Sequence, residues 1–153
     1  MGNAQVTGNA GLYYCCYKLS LLGWNVMPTA RNARGIDIIA YSPDAKSFCG
    51  IQVKTVSKRD AIPLGDSLER MMGDYWVVVS QMASGSPCAY VLTPDEVTAL
   101  AHRNERDGKV SYWLERVGYE NSMFLEAWGR LGQGTVIVPH VSDNVNRPVD
   151  GLG

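Results

Sequence analysis

The sequence predicts an α/β fold, a mixed sheet of four or five strands flanked by helices, and three observations predict it. Tyr75-Trp76-Val77-Val78-Val79 is an unbroken apolar run between Asp74 and Ser80, the signature of a strand buried on both faces. Leu12, Cys15, Cys16, Leu19 and Leu22 recur at intervals of three and four, as on one face of a helix. The periodic segments come in the order helix, strands, helix, strands, helix, which suits helices laid on the faces of a mixed sheet.

The chain has 153 residues and 46% hydrophobic composition, which fits one domain with an ordinary core. Residues 1–153 are therefore read as one unit, with 140–153 as a tail because of its Asn, Asp, Pro and Gly content. In order, residues 1–6 read as a short leader. Thr7 or Asn9 caps a helix running to about Leu22, and Gly23 ends it. Residues 24–27 are a strand stopped by Pro28, and 29–34 a polar connection. Two strands follow around Asp37 and Lys54, then an exposed loop over 56–63 and a short helix over 64–73.

The Tyr75 strand lies inside the sheet, and 88–92 form another strand after a loop at 83–87. Thr93-Pro94-Asp95-Glu96 starts a helix, with Thr93 as cap, Pro94 in first position and acids in the first turn, and it runs to about Arg103. Residues 104–108 read as a charged turn, 110–114 as an edge strand, and 121–131 as a final helix ended by Gly132. Residues 135–138 are read as one further strand.

The formal net charge is −1, so a strongly basic protein is excluded. Charge is uneven, however: residues 1–63 carry seven Lys or Arg against three acids, and the remainder seven against twelve. The four cysteines, Cys15, Cys16, Cys49 and Cys88, lack metal-binding spacing and read as reduced core or near-core thiols. His102 and His140 likewise have no partner at zinc-ligand spacing. No apolar run reaches the ~18 residues that suggest a membrane span, and no signal pattern opens the chain, so a cytoplasmic location without membrane attachment is expected.

Chemistry concentrates between Gly35 and Thr55. Gly35-Ile36-Asp37-Ile38-Ile39-Ala40 and Gly50-Ile51-Gln52-Val53-Lys54-Thr55 each set polar residues inside an apolar, β-branched run. Strand alternation puts Gln52 and Lys54 on one face, with Ile51 and Val53 on the other. A hairpin across residues 41–48, which hold Pro43, Asp44, Ala45 and Lys46, lets Asp37, Gln52 and Lys54 converge. The plainer alternative is structural: Asp37 and Lys54 as a partly buried ion pair, with Gln52 satisfying a backbone group.

These residues resemble the PD-(D/E)XK nuclease superfamily, in its Gln-X-Lys variant found in some homing endonucleases and Holliday junction resolvase-like proteins. The resemblance rests on Gly35-Ile36-Asp37 and Gln52-Val53-Lys54. It extends to the helix start Thr7-Gly8-Asn9-Ala10-Gly11-Leu12 and to Leu22-Gly23-Trp24-Asn25-Val26, covering about half the chain. It implies a restriction endonuclease-like sheet and a metal-dependent DNA endonuclease. Asp37, Gln52 and Lys54 would be catalytic, with Mg²⁺ (or Mn²⁺) held by Asp37, Gln52 and the Val53 carbonyl.

Two positions depart from the family pattern: Gln52 is neutral where many relatives carry Glu, and Leu12 stands where many carry a first-helix Glu. One carboxylate then remains, with Asn9 and Asp66 as the candidates to supplement it. Arg31, Asn32, Arg34, Lys58 and Arg59 are candidate DNA contacts, and a homodimer or higher homo-oligomer is expected for duplex cleavage. Two other readings stand beside the enzyme: an inactive relative that binds nucleic acid, and an assembly module using the Trp-containing acidic half.

Overall fold

The structure is a computed structural model, describing residues 3–30 and 34–132. The first element is α1 (Ala4–Leu21), capped by the Asn3 side chain, which accepts from the Gln5 N–H at 2.9 Å. It starts before Thr7 because Asn3 supplies the capping oxygen, so residues 4–6 are helix rather than leader. Cys15 and Leu19 are fully buried as expected, whereas Leu22 lies at the helix end and is exposed. The outward side of α1 exposes Val6, Tyr13, Tyr17 and Leu21.

Five strands make the main sheet: β1 (Asn25–Pro28), β2 (Ile38–Tyr41), β3 (Phe48–Thr55), β5 (Tyr75–Ser80) and β6 (Cys88–Leu92), with spatial order β1-β2-β3-β5-β6. The β2–β3 hairpin pairs Ile38 with Ile51 and Tyr41 with Phe48, antiparallel. Its loop is tied by the Ser42 hydroxyl, which donates to Asp44 at 2.6 Å. The contact between β3 and β5 is parallel and that between β5 and β6 antiparallel, so the sheet is mixed. The Tyr75 strand is flanked on both sides, and Val77, Val78 and Val79 are wholly buried.

A second sheet of three strands, in the order β4-β8-β7, is formed by β4 (Ile62–Gly65), β7 (His102–Arg106) and β8 (Lys109–Leu114). Three expectations are corrected here. Residues 64–73 do not form a helix: Ile62 is buried and pairs with Leu114, which draws 62–65 into β4. The helix beginning at Thr93, α2 (Pro94–Leu100), stops early because Ala101 turns extended into β7. Residues 110–114 are not an edge strand, since β8 is paired on both sides. The final helix expected over 121–131 does not form either: residues 121–127 are turn and loop, with Leu125 bridging to Tyr90 and Glu126 in the left-handed region at φ +47°, and only a 3₁₀ turn at Trp128–Leu131 remains, while a short α3 (Arg116–Tyr119) lies before it.

Two cores result, one on each face of the main sheet. Cys15, Leu19, Ile38, Ile51, Val77, Val79 and Trp128 pack between the sheet and α1. Trp76, Val78, Leu92, Val97, Leu114 and Tyr119 pack on the other face, under α2, α3 and the small sheet. Burial of each such aliphatic side chain contributes about 1.5–3 kcal/mol. Gly11 lets α1 sit close to β3, because a Cβ there would stand 1.8 Å from Thr55 Oγ1. All four cysteines are free thiols. Among the described residues no helix is long and apolar enough to cross a membrane. The strand read at 135–138 and the tail at 140–153 lie outside the described residues.

Candidate functional site

Asp37 sits immediately before β2, where the chain turns in from β1 through Gly35 at φ +80°. The turn is fixed from the Thr29 side: its N–H donates to the Asp37 carbonyl at 2.9 Å and its hydroxyl to the Ile36 carbonyl at 2.6 Å. On the β3 side the Asp37 N–H donates to Ile51 O at 2.8 Å, and carboxylate Oδ2 accepts from the Val53 N–H at 2.7 Å. The side chain is thus held at one oxygen. Its other oxygen has no hydrogen-bond partner among the described residues.

Asp37 borders a cavity of about 260 Å³ with Val53, Lys54 and Thr55 of β3, Gly8, Asn9 and Leu12 of α1, and Thr29 and Ala30. Leu12 and Asp37 therefore stand at one cavity, and Asn9 is there too, whereas Asp66 does not line it. Lys54 is partly buried and forms no ion pair with Asp37. Its ammonium lies 5.6 Å from the centroid of the Trp76 ring, a cation–π contact on the face away from α1.

The structure brings Asp37, Val53 and Lys54 to one cavity and sends Gln52 to another. Gln52 lines a neighbouring space of about 160 Å³ with Lys54, Leu64, Ser67, Arg70, Met71 and Trp76. Alternation along β3 explains this: Val53 and Thr55 face α1, Gln52 and Lys54 face Trp76. Asp37 falls outside the regular ladder and meets the α1 side, while Lys54 lines both spaces, with its ammonium on the Trp76 side. The Gln52 amide has no hydrogen bond among the described residues, so it satisfies no backbone group there.

Among the described residues no three His, Cys, Asp or Glu side chains gather as a metal-holding group. The donor set at Asp37 does not suit an ion caged by protein alone. Mg²⁺, however, is commonly held by one or two carboxylates while keeping waters and sharing substrate phosphates, and a single carboxylate at a cavity of mixed polar and apolar lining suits that mode.

The expected DNA contacts separate as well. Arg31 and Asn32 lie outside the described residues. Arg34 and Lys58 are exposed, with no carboxylate partner among the described residues. Arg59 is already committed: its Nε–H donates to Glu120 at 2.8 Å, and its terminal nitrogen bonds the other Glu120 oxygen. That pair, with Arg116 nearby, holds the Glu120 carboxyl below the ordinary glutamate value, through the Arg59 hydrogen bond first.

Two polar features were missed from sequence. Arg70 and Ser67 border the Gln52 space, and their only signal is a polar loop after β4. Glu126 accepts from Tyr14 Oη at 3.0 Å, Ala89 N–H at 3.0 Å and Trp128 Nε1–H at 2.6 Å, with Lys18 Nζ at 3.7 Å. Burial pushes its carboxyl up, yet these donors outweigh burial and hold it below the usual value. Its partners are scattered through the sequence, so no local pattern marks it. No family model, curated protein or solved structure matches this chain.

Proposed function

We propose that the protein is a metal-dependent DNA endonuclease, hydrolysing phosphodiesters at the Asp37–Lys54 cavity. One observation carries the reading: Asp37 is fixed through one oxygen by the Val53 N–H, its other oxygen has no hydrogen-bond partner among the described residues, and Lys54 is among the residues that line the same cavity. Mg²⁺ or Mn²⁺, when bound with substrate, supplies an acidified water and Lewis-acid charge. Asp37 and the Val53 carbonyl would hold that ion. Lys54 neutralises the charge that develops on the nonbridging phosphate oxygens. Arg34, Lys58 and, from sequence, Arg31 and Asn32 are assigned to backbone phosphates that set register.

The enzyme acts as a homodimer in this reading, because one site cuts one strand and two symmetric copies cut a duplex. Four free thiols suit a reducing cytoplasm, where we place it. A second reading is favoured by the position of Gln52: with one carboxylate at the cavity and the amide on the other face, the chain serves as a nucleic-acid-binding relative without cleavage. Supercoiled plasmid incubated with the protein, in Mg²⁺ and in EDTA, separates them. The enzyme reading expects nicking in Mg²⁺ alone and a loss of about 10²-fold or more in Lys54→Ala. Binding without nicking in either ion condition selects the second reading.

A further inference from the structure

The space on the other face of β3 from α1 has a composition that the cleavage reading does not use. Lys54 and Arg70 border it, and neither has a carboxylate partner among the described residues. Gln52 contributes an amide with no hydrogen bond. Ser67 Oγ accepts from the Glu69 N–H at 3.2 Å, which leaves its hydroxyl proton to donate outward. Among the described residues no acid lines the space, although Asp66 and Glu69 lie in the same loop and are exposed. The floor is rigid: Trp76 is buried, and its indole N–H donates to the Met72 carbonyl at 3.2 Å, tying the Arg70 segment to β5.

Two cations, an amide and a hydroxyl without a counter-charge are a donor set for an oxyanion. At about 160 Å³ the space is smaller than the roughly 300–1,000 Å³ of sites that enclose drug-sized ligands, so it suits one phosphate group and not a whole nucleotide. We propose that Gln52, Lys54, Ser67 and Arg70 form a phosphate subsite for the nucleic-acid backbone, separate from the Asp37 cavity and joined to it through Lys54. Its assignment to a backbone phosphate rests on the nucleic-acid reading above; its capacity for an oxyanion does not. Gln52 then has a role away from metal: its amide donates to phosphate oxygen. The Lys54 ammonium, on the Trp76 side of β3, donates to the same phosphate.

The test uses the full chain, a fluorescent DNA duplex and EDTA, so that binding is read without cleavage. Anisotropy titrations over a salt series compare wild type, Arg70→Ala and, as a control for bulk charge, Arg106→Ala at the exposed end of β7. Arg70→Ala is expected to weaken binding about tenfold and to reduce the slope of log affinity against log salt by about one, uniformly across sequences. Arg106→Ala leaves both unchanged. Inorganic phosphate, added at constant ionic strength, competes with DNA on wild type and loses that effect in Arg70→Ala. Equal binding by wild type and Arg70→Ala, equal losses in both arginine variants, or absence of DNA binding by wild type overturns the proposal. Phosphate bound through Arg70 without a change in DNA affinity makes it a free-anion site and overturns the backbone assignment. Arg70-dependent binding with no nicking in Mg²⁺ sinks the cleavage reading and leaves the subsite standing.

Discussion

Asp37 and Glu126 are two partly buried acids that each accept a backbone N–H from a strand, and they end in opposite conditions. Glu126 has its donors filled by Tyr14, Ala89 and Trp128, with Lys18 beside it, and it joins α1, β6 and the last turn. Asp37 has one donor, from Val53, and an oxygen left toward a cavity. A saturated acid is a fastener, because every donor around it would be orphaned by its removal. An acid held at one end and open at the other is positioned but not consumed. The difference teaches that charge and burial do not distinguish the two acids; the count of unfilled acceptor sites does, and it is the basis of the role proposed for Asp37.

The largest expected effect breaks the fastener. Glu126→Ala leaves the Trp128 and Ala89 donors unpaired and Tyr14 with only the long bond to the Pro87 carbonyl, and should cost about 2–4 kcal/mol, seen as a lower urea midpoint. Nicking per folded molecule should stay unchanged, and a loss of nicking without a loss of stability would erase the contrast. Next in size, Gly11→Ala drives a Cβ against Thr55 and should cost about 1–3 kcal/mol, with α1 displaced from the Asp37 cavity.

Acid should act on the fastener in a defined direction. Glu126, Glu96 and Glu120 all have folded-state values below the ordinary 4.5, through the Ala89, Trp128 and Tyr14 donors, through Arg130, and through Arg59. A depressed carboxyl contributes stability that is present above its unfolded value and lost as pH falls through its folded value. Melting temperature should therefore be insensitive to these groups near neutrality and fall below about pH 4.5. Glu126→Gln should flatten that fall, and an unchanged acid slope would remove Glu126 from the account.

Leu12→Glu sharpens the other side. Leu12 borders the Asp37 cavity, so a Glu there places a second acid at the site. Without a cation the two acids repel, and Mn²⁺ relieves them, so the variant should melt low in EDTA and regain about 1–2 kcal/mol with Mn²⁺. Equal loss in both conditions would mark residue 12 as core alone.

Some of this was readable in the sequence, where signals are local. The β2–β3 hairpin, β5 and β6 follow from apolar runs bounded by turn residues, and α2 begins at a capping box in which Thr93 and Glu96 bond each other's backbone. Tertiary pairing overrode local pattern elsewhere. The β7 strand is exposed along its length, His102 to Arg106, so it shows no alternation; β8 makes it a strand, with left-handed Asp107 and Gly108 turning between them. The helix read over 121–131 does not form around Glu126, whose left-handed backbone is held by contacts to Ala89 and Tyr14, far away in the chain. At the site, the split of β3, with Gln52 and Lys54 on one face and Val53 on the other, was legible from spacing. The separation of Gln52 was not, because it depends on Asp37 leaving the ladder one residue before β2.

The smallest expected stability effect carries the most direct test. Asn at position 37 keeps an oxygen for the Val53 N–H, so Asp37→Asn should change unfolding free energy by less than about 1 kcal/mol. The same change removes the charged oxygen that faces the cavity. Unfolding and Mg²⁺-dependent plasmid nicking measured on one preparation of Asp37→Asn should show wild-type stability with nicking abolished. Nicking at the wild-type rate, or a destabilisation as large as that of Glu126→Ala, would contradict the account and make Asp37 a second fastener.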